Sequence, residues 1–76
     1  MSKAQDFISA LGGAQNIVDL EPCITRLRVQ VADPAHVNDE ELKAKGAFGV
    51  VHSGRIVQVV IGPEADDLAA AMQDLR

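Results

Sequence analysis

The sequence predicts an α+β domain in which three helices pack on one face of a four-stranded, mainly antiparallel sheet. Two observations lead to this prediction: three segments carry apolar residues at helical spacing, and the segments between them alternate apolar and polar residues. The predicted elements follow the order α-β-β-α-β-β-α and are joined by short loops, as in layered α+β domains. With 76 residues, the chain has the size of one small domain with a single core.

The first predicted helix begins at a capping box and ends at a pair of glycines. Ser2 is followed three residues later by Gln5, the spacing at which a serine side chain caps a helix start. Gly12-Gly13 follows the last periodic residue, and glycine readily adopts the left-handed backbone at a helix end. The apolar residues at helical spacing are Ala4, Phe7, Ile8 and Leu11.

The second and third predicted helices carry comparable start signals. Asn38 precedes Glu41 by three residues and caps the second helix, which Gly46 ends. Pro63 is predicted to occupy the first position of the last helix, where its missing N–H costs nothing. The acidic residues near the positive end of that helix are Glu64, Asp66 and Asp67. Its predicted buried stripe consists of Leu68, Met72 and Leu75.

Four segments of alternating sequence predict the strands, which cover residues 16–20, 25–32, 47–52 and 55–61. The first strand is interrupted at Glu21-Pro22-Cys23, because proline favours a bend. The second strand stops at the turn signal Asp33-Pro34. Ser53-Gly54 is predicted to be the two-residue loop of a hairpin between the last two strands.

Composition and charge exclude several classes of protein. Hydrophobic residues make up 47% of the chain but aromatic residues only 3%, so the core is aliphatic. Seven basic and eleven acidic side chains give a net charge of -4, which disfavours binding to nucleic-acid phosphates. No apolar run approaches the ~18 residues of a membrane span. A single thiol and a polar amino-terminal segment predict a cytoplasmic protein.

Cys23 is the only cysteine, and it precedes a strand with two cations on one face. A lone thiol forms no internal disulfide and is too little for a structural zinc site. Alternation places Arg26 and Arg28 on one face with Gln30, roughly 6–7 Å apart at the rise of a strand. This arrangement suits a negative charge held on or near the sulfur. The alternative is a small buried cysteine beside arginines that keep the strand soluble.

The remaining polar residues give weaker signals. Thr25 alternates with Leu27 and is expected on the core side, although its hydroxyl could instead contact a bound anion. Gln58 is expected to share the open face with the arginines. His36 and His52 have no partner at metal-ligand spacing, so both are expected on the surface. The glycines form neither a GxGxxG nor a P-loop pattern, which argues against a nucleotide site.

The run Cys23-Ile24-Thr25-Arg26-Leu27-Arg28 resembles the active-site signature of the enzyme IIB domain of the glucose and N-acetylglucosamine-type sugar phosphotransferase system. Residues 11–17, 45–47 and 58–62 are similar to other segments of that family. The likeness covers nearly the whole chain. It implies that residues 1–76 form a single enzyme IIB domain.

The resemblance also implies a definite activity. Members of the family accept a phosphoryl group from a phosphohistidine of enzyme IIA and pass it to a hexose bound in membrane enzyme IIC. By this likeness Cys23 would carry the phosphoryl group, and Arg26, Arg28 and Thr25 would stabilise it. The chain would be a phosphotransferase that acts as a monomer at the inner face of the cell membrane, with no cofactor, metal or nucleic acid.

Two other classes of function stay open on the sequence alone. In a redox or thiol-sensing module, the arginines would favour the thiolate of Cys23 for oxidation, although the chain has no second cysteine to resolve the product. In a noncatalytic interaction domain, the open sheet face would be a docking surface and Cys23 would be incidental.

Overall fold

A computed structural model describes residues 2–76 and contains one antiparallel sheet of four strands in the order β1-β2-β4-β3. The strands are β1 (Ile17–Cys23), β2 (Arg26–Val31), β3 (Gly49–Ser53) and β4 (Ile56–Val60). The helices are α1 (Lys3–Ala10), α2 (Asp39–Ala44) and α3 (Ala65–Leu75). Short 3-10 turns at Ala14–Asn16 and Pro34–His36 complete the chain. The predicted fold class and element order are confirmed.

The core lies between the helices and one face of the sheet. Leu27, Val29 and Val31 of β2 are fully buried, as are the corresponding Val57 and Val59 of β4. They pack against apolar residues of the helices and adjoining turns: Phe7, Leu11, Leu42, Leu68 and Met72. The alternate residues of β2 are exposed on the other face of the sheet, which no helix covers among residues 2–76. The predicted distribution of apolar and polar residues on β2 is therefore confirmed.

The start signals of the first two helices are confirmed. Ser2 Oγ accepts a hydrogen bond of 3.1 Å from the amide of Gln5. Asn38 Oδ1 accepts one of 3.0 Å from the amide of Glu41. Each bond satisfies an N–H group that the first turn of a helix leaves without a partner.

The predicted start of the third helix is wrong. Pro63 lies in a turn before α3, and the helix begins at Ala65. Gly62, with a φ of 101°, donates its amide to the carbonyl of Thr25 at 2.8 Å, which ties this turn to the sheet and delays the helix. Leu75 was expected to be buried but is 49% exposed, because it lies in the last turn of α3, beyond the stripe that ends at Met72.

All the strand boundaries differ from the predicted ones by one to three residues, β3 beginning at Gly49 and not at residue 47, and three of the differences have a clear cause or consequence. β1 continues through Pro22 to Cys23 instead of breaking, because β1 is an edge strand and a missing N–H on its outer side breaks no ladder bond. Asn16 belongs to a 3-10 turn and not to β1. The second hairpin turns at Gly54-Arg55 and not at Ser53-Gly54, since Ser53 pairs with Ile56.

The carboxyl-terminal end of α3 covers the outer edge of β1. Gln73 Nε2 donates a hydrogen bond of 2.7 Å to the carbonyl of Leu20. Arg76 Nη2 donates to the carbonyls of Ile17 and Val18, both at 3.2 Å. These bonds give partners to strand carbonyls that no neighbouring strand reaches.

Asn16 is the one buried polar side chain within residues 2–76, and it joins three segments of the chain. Its Nδ2 donates to the carbonyls of Leu11 at 2.7 Å and Asp33 at 3.1 Å. Its Oδ1 accepts from the amide of Asp33 at 2.9 Å. The side chain thus fixes the end of the α1 segment against the start of β1 and the end of β2.

Both hairpins use two-residue turns whose first residue has a positive φ. The value is 58° at Ile24 in the β1–β2 turn and 60° at Gly54 in the β3–β4 turn. Glycine adopts this conformation freely, whereas a β-branched residue adopts it at a cost. Ile24 is 86% exposed and recovers little of that cost by burial. The β1–β2 turn is therefore the strained member of the pair.

We expect Asn16→Ala to lower the free energy of unfolding by about 2–4 kcal/mol, because it leaves the buried carbonyl of Leu11 and part-buried backbone groups of Asp33 without these partners. Urea denaturation of the variant and of the wild type measures the difference. The control is Gln15→Ala, an exposed neighbour whose bond to the carbonyl of Gly12 is long at 3.5 Å. A cost no larger than that of the control would contradict the role given to Asn16.

Exchanging the two turn residues should change stability in opposite directions. Ile24→Gly should raise the free energy of unfolding by about 0.5–1 kcal/mol, because relief of the positive φ outweighs the added flexibility of glycine. Gly54→Ile should lower it by about 1–2 kcal/mol through the backbone alone, since a Cβ there would meet no atom within 4 Å. Urea midpoints report both, and destabilisation by both variants would disprove strain at Ile24.

Candidate functional site

Cys23 is exposed at the end of β1, directly across the hairpin from Arg26. The turn between them consists of Ile24 and Thr25. Thr25 was expected on the core side, but it is exposed, because the turn interrupts the alternation on which that expectation rested. Its carbonyl accepts from the amides of Ile61 at 2.9 Å and Gly62 at 2.8 Å, which anchors the turn to the segment after β4.

The turn leaves two backbone donors free beside the sulfur. Within residues 2–76, the amides of Ile24 and Thr25 donate no hydrogen bond to the protein. Successive free N–H groups in a turn form a small concavity that favours anions. Pro22 contributes no donor, so the donors of this segment lie on the carboxyl-terminal side of the thiol.

Arg26 lies in the same row of the sheet as Cys23, and its side chain reaches toward the centre of the open face. Its Nη1 donates a hydrogen bond of 2.9 Å to Oε1 of Gln58 on β4. The expectation that Gln58 shares the open face with the arginines is confirmed. Because its partner is a neutral amide, the charge of Arg26 is not neutralised by this contact.

Arg28 lies two residues further along β2 on the same face, between Glu21 on β1 and Gln58 on β4. Its Nη1 is 3.8 Å from Oε1 of Glu21, and both side chains are about half exposed. This distance is too long for a strong hydrogen bond and describes a loose ion pair. The two guanidinium groups therefore stand on the face that carries the thiol, Arg26 bonded to a neutral amide and Arg28 only loosely paired.

Phe48 is a feature of this end of the sheet that the sequence analysis missed. Its side chain is 78% exposed, and its amide donates to the carbonyl of Val60 at 2.8 Å. A ring carbon lies 3.5 Å from the position of a Cβ on Gly62, the residue bonded to the turn at Thr25. Phe48 and Ile24 are thus exposed apolar side chains at the end of the sheet that holds Cys23. The sequence did carry a signal for this feature, because Phe48 is one of only two aromatic residues and lies between the small residues Ala47 and Gly49.

The two histidines are exposed and engaged outside this site, as expected. His52 Nε2 is 2.7 Å from Oδ1 of Asp39, and His36 Nε2 is 3.5 Å from Oδ2 of Asp33. Residues 2–76 contain no group of three or more His, Cys, Asp or Glu side chains placed to hold a metal ion. In the same part of the chain, no helix is long and apolar enough to cross a membrane.

Taken together, the geometry offers an exposed nucleophile and two guanidinium groups on one sheet face, with two free amides in the adjoining turn. These are the groups that receive and stabilise a phosphate-like anion. The expected association of Cys23 with Arg26 and Arg28 on one face is found. Thr25 joins them through its position in the turn and not through the alternation of β2.

Comparison with known proteins gives concordant matches. The family model of the phosphotransferase system EIIB matches residues 5–38, which include the thiol and both arginines. The N-acetylglucosamine-specific EIIB component of Streptomyces coelicolor is 54% identical over 74 residues, covering 97% of this chain and 96% of that protein. The glucose-specific EIICBA component of Streptococcus pneumoniae is 49% identical over 75 residues, covering 97% of this chain but 10% of that longer protein.

A solved structure agrees with both the fold and the sequence relationship. One domain of the IIabc component of this system from Clostridium difficile matches with a TM-score of 0.81 and 27% identity, over 96% of this chain and 77% of that one. The resemblance read from residues 23–28 is thereby confirmed. The identity of 54% over nearly the full length of both chains shows that this protein belongs to the EIIB family of the sugar phosphotransferase system, a family of phosphotransferases.

Proposed function

We propose that the chain is a phosphoryl carrier in which Cys23 accepts a phosphoryl group from a phosphohistidine of enzyme IIA and passes it to a hexose bound in membrane enzyme IIC. In this proposal residues 1–76 act as a single EIIB domain, as a monomer, in the cytoplasm at the inner face of the membrane. The observation that carries it is the exposed thiol beside two free amides, on the sheet face that holds Arg26 and Arg28.

The first half-reaction needs a nucleophile that works without an adjacent base. The thiolate of Cys23 attacks phosphorus, the S–P bond forms as the P–N bond breaks, and the thiol proton ends on the freed imidazole. Cysteine suits this role because a fraction of it is ionised at neutral pH and the thiolate is strongly nucleophilic. A serine would need a base, and His36 and His52 are both engaged with carboxylates elsewhere.

The arginines and the turn stabilise the phosphoryl group in this proposal. A phosphoryl group carries roughly -1.5 to -2 charges at pH 7. The amides of Ile24 and Thr25 can bind its oxygens near the sulfur, and the exposed hydroxyl of Thr25 can add a donor. Arg26 and Arg28 can approach from the sheet face with paired N–H donors. Phosphoryl transfer depends chiefly on such positioning and charge stabilisation.

Names of the relatives support a hexose as the acceptor. The relative that matches over 96% of its length is named as N-acetylglucosamine-specific, and the longer EIICBA relatives are named as glucose-specific. We therefore place the substrate of the complete system in the glucose and N-acetylglucosamine class. In the EIICBA relatives the EIIB segment is part of one polypeptide, which supports enzyme IIA and enzyme IIC as the two partners of this chain.

Both partners would use the end of the sheet that carries Cys23. The exposed side chains of Ile24 and Phe48 supply apolar contact there, and the arginines supply charge. Because the phosphoryl group must be received from one partner and delivered to another, each contact must be small and short-lived.

Cys23→Ser should fold but accept no phosphoryl group, because the change is small and its site is exposed, while the hydroxyl has no base to activate it. Intact-mass spectrometry after incubation with phosphorylated enzyme IIA measures the label, and we expect one phosphoryl group on the wild type. Labelling of Cys23→Ser to the wild-type extent would refute the assignment. An unlabelled wild-type chain would refute the carrier function itself.

Replacing either arginine by lysine should impair delivery more than reception. In Arg26→Lys and Arg28→Lys, Cys23 should still be phosphorylated, because the donor's own site stabilises the incoming group. Transfer to sugar should fall sharply, because lysine lacks the paired donors that hold the group toward a neutral hydroxyl.

The two half-reactions are measured separately with purified partners and with membranes containing enzyme IIC. Arg55→Lys is the matched control, because Arg55 lies in the β3–β4 turn, at the end of the sheet opposite Cys23. If Arg26→Lys and Arg28→Lys both phosphorylated sugar at the wild-type rate, the arginines would have no role in delivery and would be ordinary solvated strand residues.

A further inference from the structure

We propose that Glu21 is a charge-balancing residue that competes with the phosphoryl group for Arg28 and so keeps the group on Cys23 easy to transfer. The inference rests on the proposed carrier function and deepens it. It assigns to a carboxylate beside the site the task of limiting how tightly the phosphorylated state is held.

The geometry places Glu21 next to both members of the site. It lies two residues before Cys23 on β1, so both side chains are on the same face, roughly 6–7 Å apart along the strand. It also stands directly across from Arg28, with 3.8 Å between Oε1 and Nη1. The carboxylate therefore faces the arginine that the phosphoryl group would need.

The two arginines differ in what holds them. Arg26 is bound by the neutral amide of Gln58 at 2.9 Å, so its charge stays available to a new anion. Arg28 is the one paired with a carboxylate. The registers place Ile56, Gln58 and Val60 of β4 and Gly49, Val51 and Ser53 of β3 on this face, none of which carries a charge. Its acidic side chains are Glu21 and Asp19, both on β1.

The Glu21–Arg28 ion pair is not explained by a contribution to the free energy of folding. Both side chains are about half exposed, and exposed pairs at such distances contribute little to folding. The loose distance leaves the guanidinium free to turn toward a second anion. A weak, reversible partner is what a competing counter-charge requires.

Competition acts when the phosphoryl group arrives and when it leaves. As the S–P bond forms and the P–N bond of the donor breaks, Arg28 gains a second anionic neighbour, and Glu21 repels the new charge. In delivery, the S–P bond breaks, an O–P bond to the sugar forms, and the hydroxyl proton replaces the group on sulfur. The Glu21–Arg28 pair then re-forms. Glu21 thus disfavours the phosphorylated state and favours its discharge.

The test is the equilibrium of phosphoryl exchange between phosphorylated enzyme IIA and Cys23, measured by mass spectrometry from both directions. Glu21→Gln should shift this equilibrium toward phosphorylated Cys23 by about threefold at physiological salt, and more at low salt. The rate of transfer to sugar should fall correspondingly. Glu21→Asp, which keeps the charge, should stay closer to the wild type.

Asp19→Asn is the matched control, since it removes the same charge from the same strand and face. Asp19 lies opposite the uncharged Gln30 and about 13 Å along the strand from the sulfur, beyond the screening length of about 8 Å. Equal shifts in Glu21→Gln and Asp19→Asn, or no shift in either, would overturn the inference. A wild-type chain that takes no phosphoryl group would overturn the carrier function, and the inference with it.

Discussion

The register of β2 against β1 and β4 places Leu27 and Val29 in the core and, between them, Arg26 and Arg28 on the open face. Because side chains alternate along a strand, a slip of one residue would bury both arginines and expose the aliphatic core. The same register sets Cys23 opposite Arg26. The packing of the core and the placement of the site residues therefore depend on the same strand register. The buried side chains of β2 fix the positions of the arginines on its exposed face.

Anchoring of the turn completes this arrangement. The carbonyl of Thr25 accepts two amides from the segment after β4, so the β1–β2 turn is attached to the centre of the sheet as well as to its own strands. Strain at Ile24 is tolerated because these bonds hold the turn in place. The result is a fixed turn backbone with two free amides next to the thiol, beside the sheet face that carries both arginine side chains.

Alternation and capping signals predicted most of the fold, because they reflect local physical requirements. Apolar residues at period two gave the faces of β2, and Ser2 and Asn38 gave the starts of two helices. The thiol and its two arginines followed from the same pattern together with the family likeness. In each of these cases the local preference of the sequence agrees with the position that tertiary packing requires.

The features that sequence reasoning missed depend on where an element lies in the sheet. Pro22 indicated a break because proline lacks a donor, yet on an outer strand that donor has no partner to lose. The prediction that Thr25 faces the core was wrong because the turn that begins at Ile24, with its positive φ, includes Thr25. The alternation of β2 starts one residue later, at Arg26. The exposure of Phe48 and the bonds of Asn16 arise from contacts between distant segments, which no local pattern encodes.

The closed edge of β1 has a consequence for how partners meet this domain. An open strand edge is a template on which another chain can add a strand. Here Gln73 and Arg76 occupy the carbonyls at one end of that edge, and Pro22 removes a donor at the other. Addition of a strand at this edge is therefore disfavoured, and a partner that binds beside Cys23 would contact side chains at the end and face of the sheet. Contacts of that kind form and dissociate without rearranging a backbone, which suits the proposed transfer between two partners.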